Sequence, residues 1–79
     1  MTELVKKYEN EVGTVYSTKE KGEEVVLIQD KETKDYTGWL LMHPGVIAEG
    51  DTPKETVDEL FSAMEVLKEI LTEEELKEI

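Results

Sequence analysis

The side chains of this sequence that could do chemistry are one histidine and a scatter of carboxylates. His43 is the only imidazole. A general base needs an orienting partner and a substrate pocket. Neither is signalled around His43, which reads as a structural or solvent-exposed residue beside Pro44. Asp30, Asp35, Glu49 and Asp51 fall in or beside turn-forming stretches. Clustered acids can hold divalent cations for phosphodiester hydrolysis, which would make the chain a metal-dependent nuclease. However, the apolar stretches Val25–Ile28 and Trp39–Met42 carry no carboxylate. Each acid also has a simpler role: Asp30 and Asp35 favour turns, and Asp51 stands beside a helix start, where negative charge is favoured. The expectation is a protein that is not an enzyme, with no catalytic residue, no metal site and no cofactor.

The elements that position these residues must come from a short chain. With 79 residues, one domain over 1–79 is expected. A domain of this size buries a limited fraction of its surface. The absence of cysteine excludes disulfide staples, so a homo-oligomer is an expected source of extra stability. The formal net charge is −11, from 20 acidic and 9 basic residues, and every basic residue is lysine. Such a surface repels phosphate, so direct nucleic-acid binding is not expected, whereas a basic protein would be drawn to it. No apolar run approaches the roughly 20 residues that span a membrane. Met1–Lys7 lacks the features of a signal peptide. No membrane association and a cytoplasmic location are the expectations.

Along the chain, Leu4, Val5, Tyr8 and Val12 recur at steps that fit a short amphipathic helix over 1–12, with Thr2 as a cap and Gly13 as its end. Residues 14–49 read as an antiparallel sheet. Thr14–Lys19 has strand-favouring residues, and Lys21-Gly22 is a hairpin turn with Gly22 supplying the unusual φ. Val25-Val26-Leu27-Ile28 is an unbroken apolar run, the pattern of a strand covered on both faces. Tyr36–Met42 is its hairpin partner, and Val46–Glu49 is a short strand after the turn dipeptide Pro44-Gly45. Gly50 is expected to supply a positive φ. Thr52 then caps a helix, with Pro53 at its first position and Glu55 three residues after the cap. That helix runs over 53–71, with Val57, Leu60, Phe61, Met64, Leu67, Ile70 and Leu71 on one stripe. Thr72-Glu73-Glu74-Glu75 repeats the capping pattern ahead of terminal helical turns over 73–79 carrying Leu76 and Ile79. The predicted architecture is α+β in two layers. It has an antiparallel sheet of three to four strands, one long C-terminal helix packed on it and a short N-terminal helix. The second sheet face would be covered by the N-terminal helix or by another copy of the chain.

From Glu24 to about Leu71 the chain resembles the HicB-like antitoxin domain. The correspondence runs through Val25-Val26-Leu27-Ile28, the polar turn Asp30–Asp35, Tyr36–Met42, Pro44-Gly45, Val46-Ile47-Ala48, Gly50-Asp51-Thr52 and the helix from Pro53. The spacing of Pro-Gly, four residues, then Gly-Asp-Thr matches the family pattern. Met42 and His43 stand where the family has an acidic residue and Leu, which marks a divergent, stand-alone member. The resemblance implies a partial RNase H-like fold without nuclease activity and a small basic mRNA-cleaving toxin of the HicA type as partner. The junction residues Pro44, Gly45, Gly50, Asp51 and Thr52 are then structural. Tyr36, as a rim aromatic, and Glu65 and Glu69, with the other helix acids and Glu73, Glu74, Glu75 and Glu78, are the candidate partner-binding residues. Two alternatives stand beside this reading: an acidic inhibitor that mimics nucleic acid, and an orphan oligomeric HicB-like domain with no toxin.

Overall fold

The structure, a computed structural model, describes residues 3–77; Thr2, Glu78 and Ile79, named above, lie outside them. The order is β1 (Val5–Glu9), β2 (Gly13–Glu20), β3 (Glu23–Asp30), β4 (Tyr36–Leu40), β5 (His43–Gly50), α1 (Pro53–Ile70) and α2 (Glu73–Lys77). The fold is α+β: a five-stranded antiparallel sheet in the order β1-β2-β3-β4-β5, with α1 packed on β4 and β5. Each strand pairs with the next in sequence, so the sheet is a meander.

The N-terminal helix expected over 1–12 is not formed; Val5–Glu9 is the fifth strand, fully exposed at the edge of the sheet. The cause is a bulge. Val5 pairs with Ser17 and Tyr8 with Val15, with a register shift between Lys6 and Tyr8. The inserted residue brings two side chains three positions apart onto one face, which imitates the helical period. Asn10 closes the turn to β2, its side-chain oxygen accepting from the backbone N–H groups of Val12 (2.8 Å) and Gly13 (3.1 Å).

Between β2 and β3, Lys21 and Gly22 both have positive φ, 52° and 79°, as a tight two-residue hairpin requires. The turn between β4 and β5 is Leu41-Met42, not Pro44-Gly45. Leu40 pairs with His43 and Trp39 with Ile47, so Pro44, Gly45 and Val46 are extra residues on β5. An edge strand tolerates this, because proline has no N–H to give to a ladder.

The helix begins as its local signals predict. Thr52 has an extended backbone, its hydroxyl accepts from the Glu55 N–H (3.1 Å), and Pro53 opens the first turn. Thr72 and Glu75 cap α2 reciprocally: the Glu75 carboxylate accepts from the Thr72 N–H (3.1 Å), and the Thr72 hydroxyl accepts from the Glu75 N–H (3.3 Å). The core is Val25, Leu27, Leu40 and Val46 from the sheet with Val57, Leu60 and Met64 from α1. The expected helix stripe is buried only in its first half and middle; Ile70 is 70% exposed. The apolar run of β3 is covered on one face, not both: Val25 and Leu27 are buried, Val26 and Ile28 only partly. With residues 5–9 in the sheet, the face opposite α1 has no cover among the described residues.

Candidate functional site

The junction after β5 is set by close approach. Gly50 has no positive φ. A Cβ added there would come within 2.8 Å of the Thr56 Oγ1 and 2.9 Å of the Thr56 N. Gly38 faces the same side chain across β4: its added Cβ would meet Leu27 at 2.6 Å and the Thr56 methyl at 3.2 Å. Thr56 is fully buried, and its hydroxyl donates to the Thr52 carbonyl (2.9 Å). The two glycines thus let α1 lie directly on β4 and β5. Gly38 and Thr56 were not singled out from sequence. The signal was a glycine inside an apolar strand, which marks close approach of another backbone.

The four turn acids converge. Asp30, Asp35, Glu49 and Asp51 line one polar cleft of about 350 Å³, with Thr33, Thr37 and Gly50. The Asp30 carboxylate accepts from the backbone N–H groups of Glu32 (2.7 Å) and Thr33 (3.1 Å). Those bonds, the one from Thr33 first, hold its pKa below the ordinary carboxylate value. Among the described residues, no three acids or histidines are placed to hold a metal ion. His43 opens β5 opposite Leu40, with its Nδ1 buried and without a hydrogen-bond partner.

The candidate partner-binding residues are not brought together. Tyr36 starts β4 opposite Gly50, on the helix side of the sheet. Its ring lies 6.4 Å from that of Tyr16, and burial, then Tyr16, raises its phenol pKa. Glu65 and Glu69 are exposed in the last third of α1. They lie roughly 18 and 24 Å along the helix axis from Pro53. On the same two helices Glu55, Asp58, Glu59, Glu73, Glu74 and Glu75 are also exposed, and the lysines are Lys54, Lys68 and Lys77. Lys54 is engaged by Asp58 at 2.8 Å.

The opposite face of the sheet is apolar, and no element among the described residues covers it. The strand registers place Val5, Ser17, Val26, Trp39 and Ile47 in one row across all five strands, and Tyr8, Val15, Ile28 and Thr37 in the next. At the edges Val5 is 50%, Tyr8 60% and Ile47 61% exposed. Trp39 is half-buried by its neighbours in the sheet. Both parities of β3 are apolar, which is the trace this face leaves in the sequence.

No helix among the described residues is long and apolar enough to cross a membrane. No protein-family model matches the chain, and no curated protein or solved structure matches it either.

Proposed function

We propose that this chain is a non-enzymatic, protein-binding domain of the HicB-like kind, which neutralises a small basic mRNA-cleaving toxin by masking its active surface. The observation that carries the proposal is the acidity of the helix layer. α1 and α2 carry eight carboxylates against three lysines. The helix layer is therefore a strongly negative surface, which speeds encounter with a basic protein and favours it over other partners. The architecture is also compatible: Glu24 to Leu71, the part that carries the resemblance, forms three consecutive antiparallel strands followed by α1. In this reading Glu65 and Glu69 meet the partner, while Gly50, Asp51 and Thr52 set the helix that presents them.

The test is binding to a small basic ribonuclease of the HicA type encoded beside this chain. A stable complex that protects mRNA from cleavage, and weakens on Glu65→Lys with Glu69→Lys, is the expected result. Absence of a complex and undiminished cleavage overturn it. Binding instead to a DNA-processing enzyme, competed by duplex DNA, would favour the nucleic-acid mimic.

A further inference from the structure

We propose that the open face of the sheet is a self-association surface, on which two copies of this chain pack sheet to sheet with their helices outward. The face presents Val5, Tyr8, Val26, Ile28, Trp39 and Ile47 to solvent in two adjacent rows. β3 is apolar at successive positions from Val25 to Ile28, a composition suited to a strand covered on both sides. Among the described residues, α1 covers one side and no element covers the other.

Charge selects the occupant. The carboxylates of α1 and α2 lie on the other side of the sheet. The charges of the open face stand at its margins: Lys19 opposite Glu24, Asp30 opposite Gly13, and Glu49 opposite Thr37. A basic partner is drawn to the helix layer, and this face, whose centre is apolar and whose charges lie at its margins, is left for a surface like itself. A second copy meets that requirement in spite of the net charge of −11. Sheets stack about 10 Å apart, and each helix layer stands about 10 Å from its own sheet, so the two acidic layers would be roughly 30 Å apart. That is several times the Debye length of about 8 Å at physiological ionic strength, and their repulsion is screened.

Size and shape agree. Five strands spaced about 4.8 Å apart make a face roughly 20 Å wide, in keeping with the 39 × 21 × 20 Å extents of the molecule. Two such faces covering one another remove on the order of 1,000 Å², the lower bound for a specific interface. Twisted antiparallel sheets pack aligned within about 30°. A two-fold axis in the plane between the sheets places the central β3 of one copy over β3 of the other, with Val26 and Trp39 near the axis. The contact is isologous and closes as a dimer.

The experiment is the solution mass of the full chain across concentration, read together with the emission of Trp39, the only tryptophan. The expected result is twice the 9.0 kDa chain mass at high concentration. On dilution the Trp39 emission shifts to the red over the same range in which the mass halves. Tyr8→Lys with Ile47→Lys changes exposed edge-strand residues and leaves the fold, checked by circular dichroism, intact. It should weaken the dimer at least tenfold. Val66→Lys with Ile70→Lys, on the exposed side of α1, and Glu65→Lys should leave the mass unchanged, which separates this surface from toxin binding. A monomer at every concentration up to about 1 mM, the weak end of the affinity scale, overturns the proposal. So does a dimer that forms without any change in Trp39 emission, or one lost only in the α1 variant.

Discussion

On the helix side of the sheet, Val25, Leu27 and Leu40 are fully buried. One residue along the same strands, Val26, Ile28 and Trp39 keep part of their surface in water. The residue types on the two sides are similar, so hydrophobicity does not separate them. They are separated by what lies above the backbone. On one side, Gly38 and Gly50 remove the side chains that would hold α1 away, and Thr56 settles between them. On the other side side chains project at nearly every position, and no element of the described residues is present to meet them. A sheet face becomes core when a second layer can approach it, and an apolar face without that layer is a surface for another molecule.

The largest test of this contrast is Leu60→Ala, which empties a fully buried position under α1. A loss of about 2–5 kcal/mol is expected for such a truncation. For a domain this small that amounts to a large share of its stability. Ile47→Ala, its open-face counterpart at 61% exposure, should cost under about 0.5 kcal/mol in a dilute sample. Urea unfolding of both variants gives the comparison, and equal costs would break it. Gly38→Ala comes next. Its new Cβ needs space now held by Leu27 and Thr56, and about 1–3 kcal/mol is expected for such overpacking. A neutral or stabilising result in the same titration would show that α1 rides higher on the sheet than described.

Thr52→Ala removes the hydroxyl that accepts from the Glu55 N–H. About 1 kcal/mol is expected for loss of a helix cap, read as a shift in thermal midpoint of a few degrees. The smallest effect concerns Asp30, in the turn between β3 and β4. Its folded pKa lies below its ordinary value of 3.8 because its carboxylate accepts backbone N–H groups. A lowered acid pKa stabilises the folded state above the unfolded pKa, and that contribution is lost as pH falls through the folded value. Asp30→Asn should therefore lower stability slightly at neutral pH, and its difference from the parent chain should vanish as pH falls below about 4. A cost of the same size at about pH 2 as at about pH 7 would assign the turn another source of order.

Much of the α1 side was legible from sequence because its signals are local. Thr52, Pro53 and the steps of three and four from Val57 to Met64 need no knowledge of any other segment. The hairpin at Lys21-Gly22 was legible for the same reason, since the φ of a turn is a property of the turn itself. Residues 5–9 were misread because a spacing of three fits both a helix and a bulged strand, and only pairing with β2 separates them. Pro44-Gly45 was misplaced because β5 absorbs it as extra residues, an accommodation that depends on β5 being an edge. The four turn acids were each explained by their own turns; their meeting around one cleft is a consequence of the meander.

By itself, the sequence determined the composition that makes the helix layer acidic, the capped start of α1, and the unbroken apolar run that gives β3 two apolar sides. These follow from residue type and short-range geometry. The tertiary structure decided that the N-terminal segment joins the sheet, that α1 covers β4 and β5 through Gly38, Gly50 and Thr56, and that one apolar side stays open. Those outcomes depend on which segments meet, and hydrophobic burial is non-directional. It rewards any cover equally, and the choice among covers falls to backbone pairing and to the room that glycine leaves.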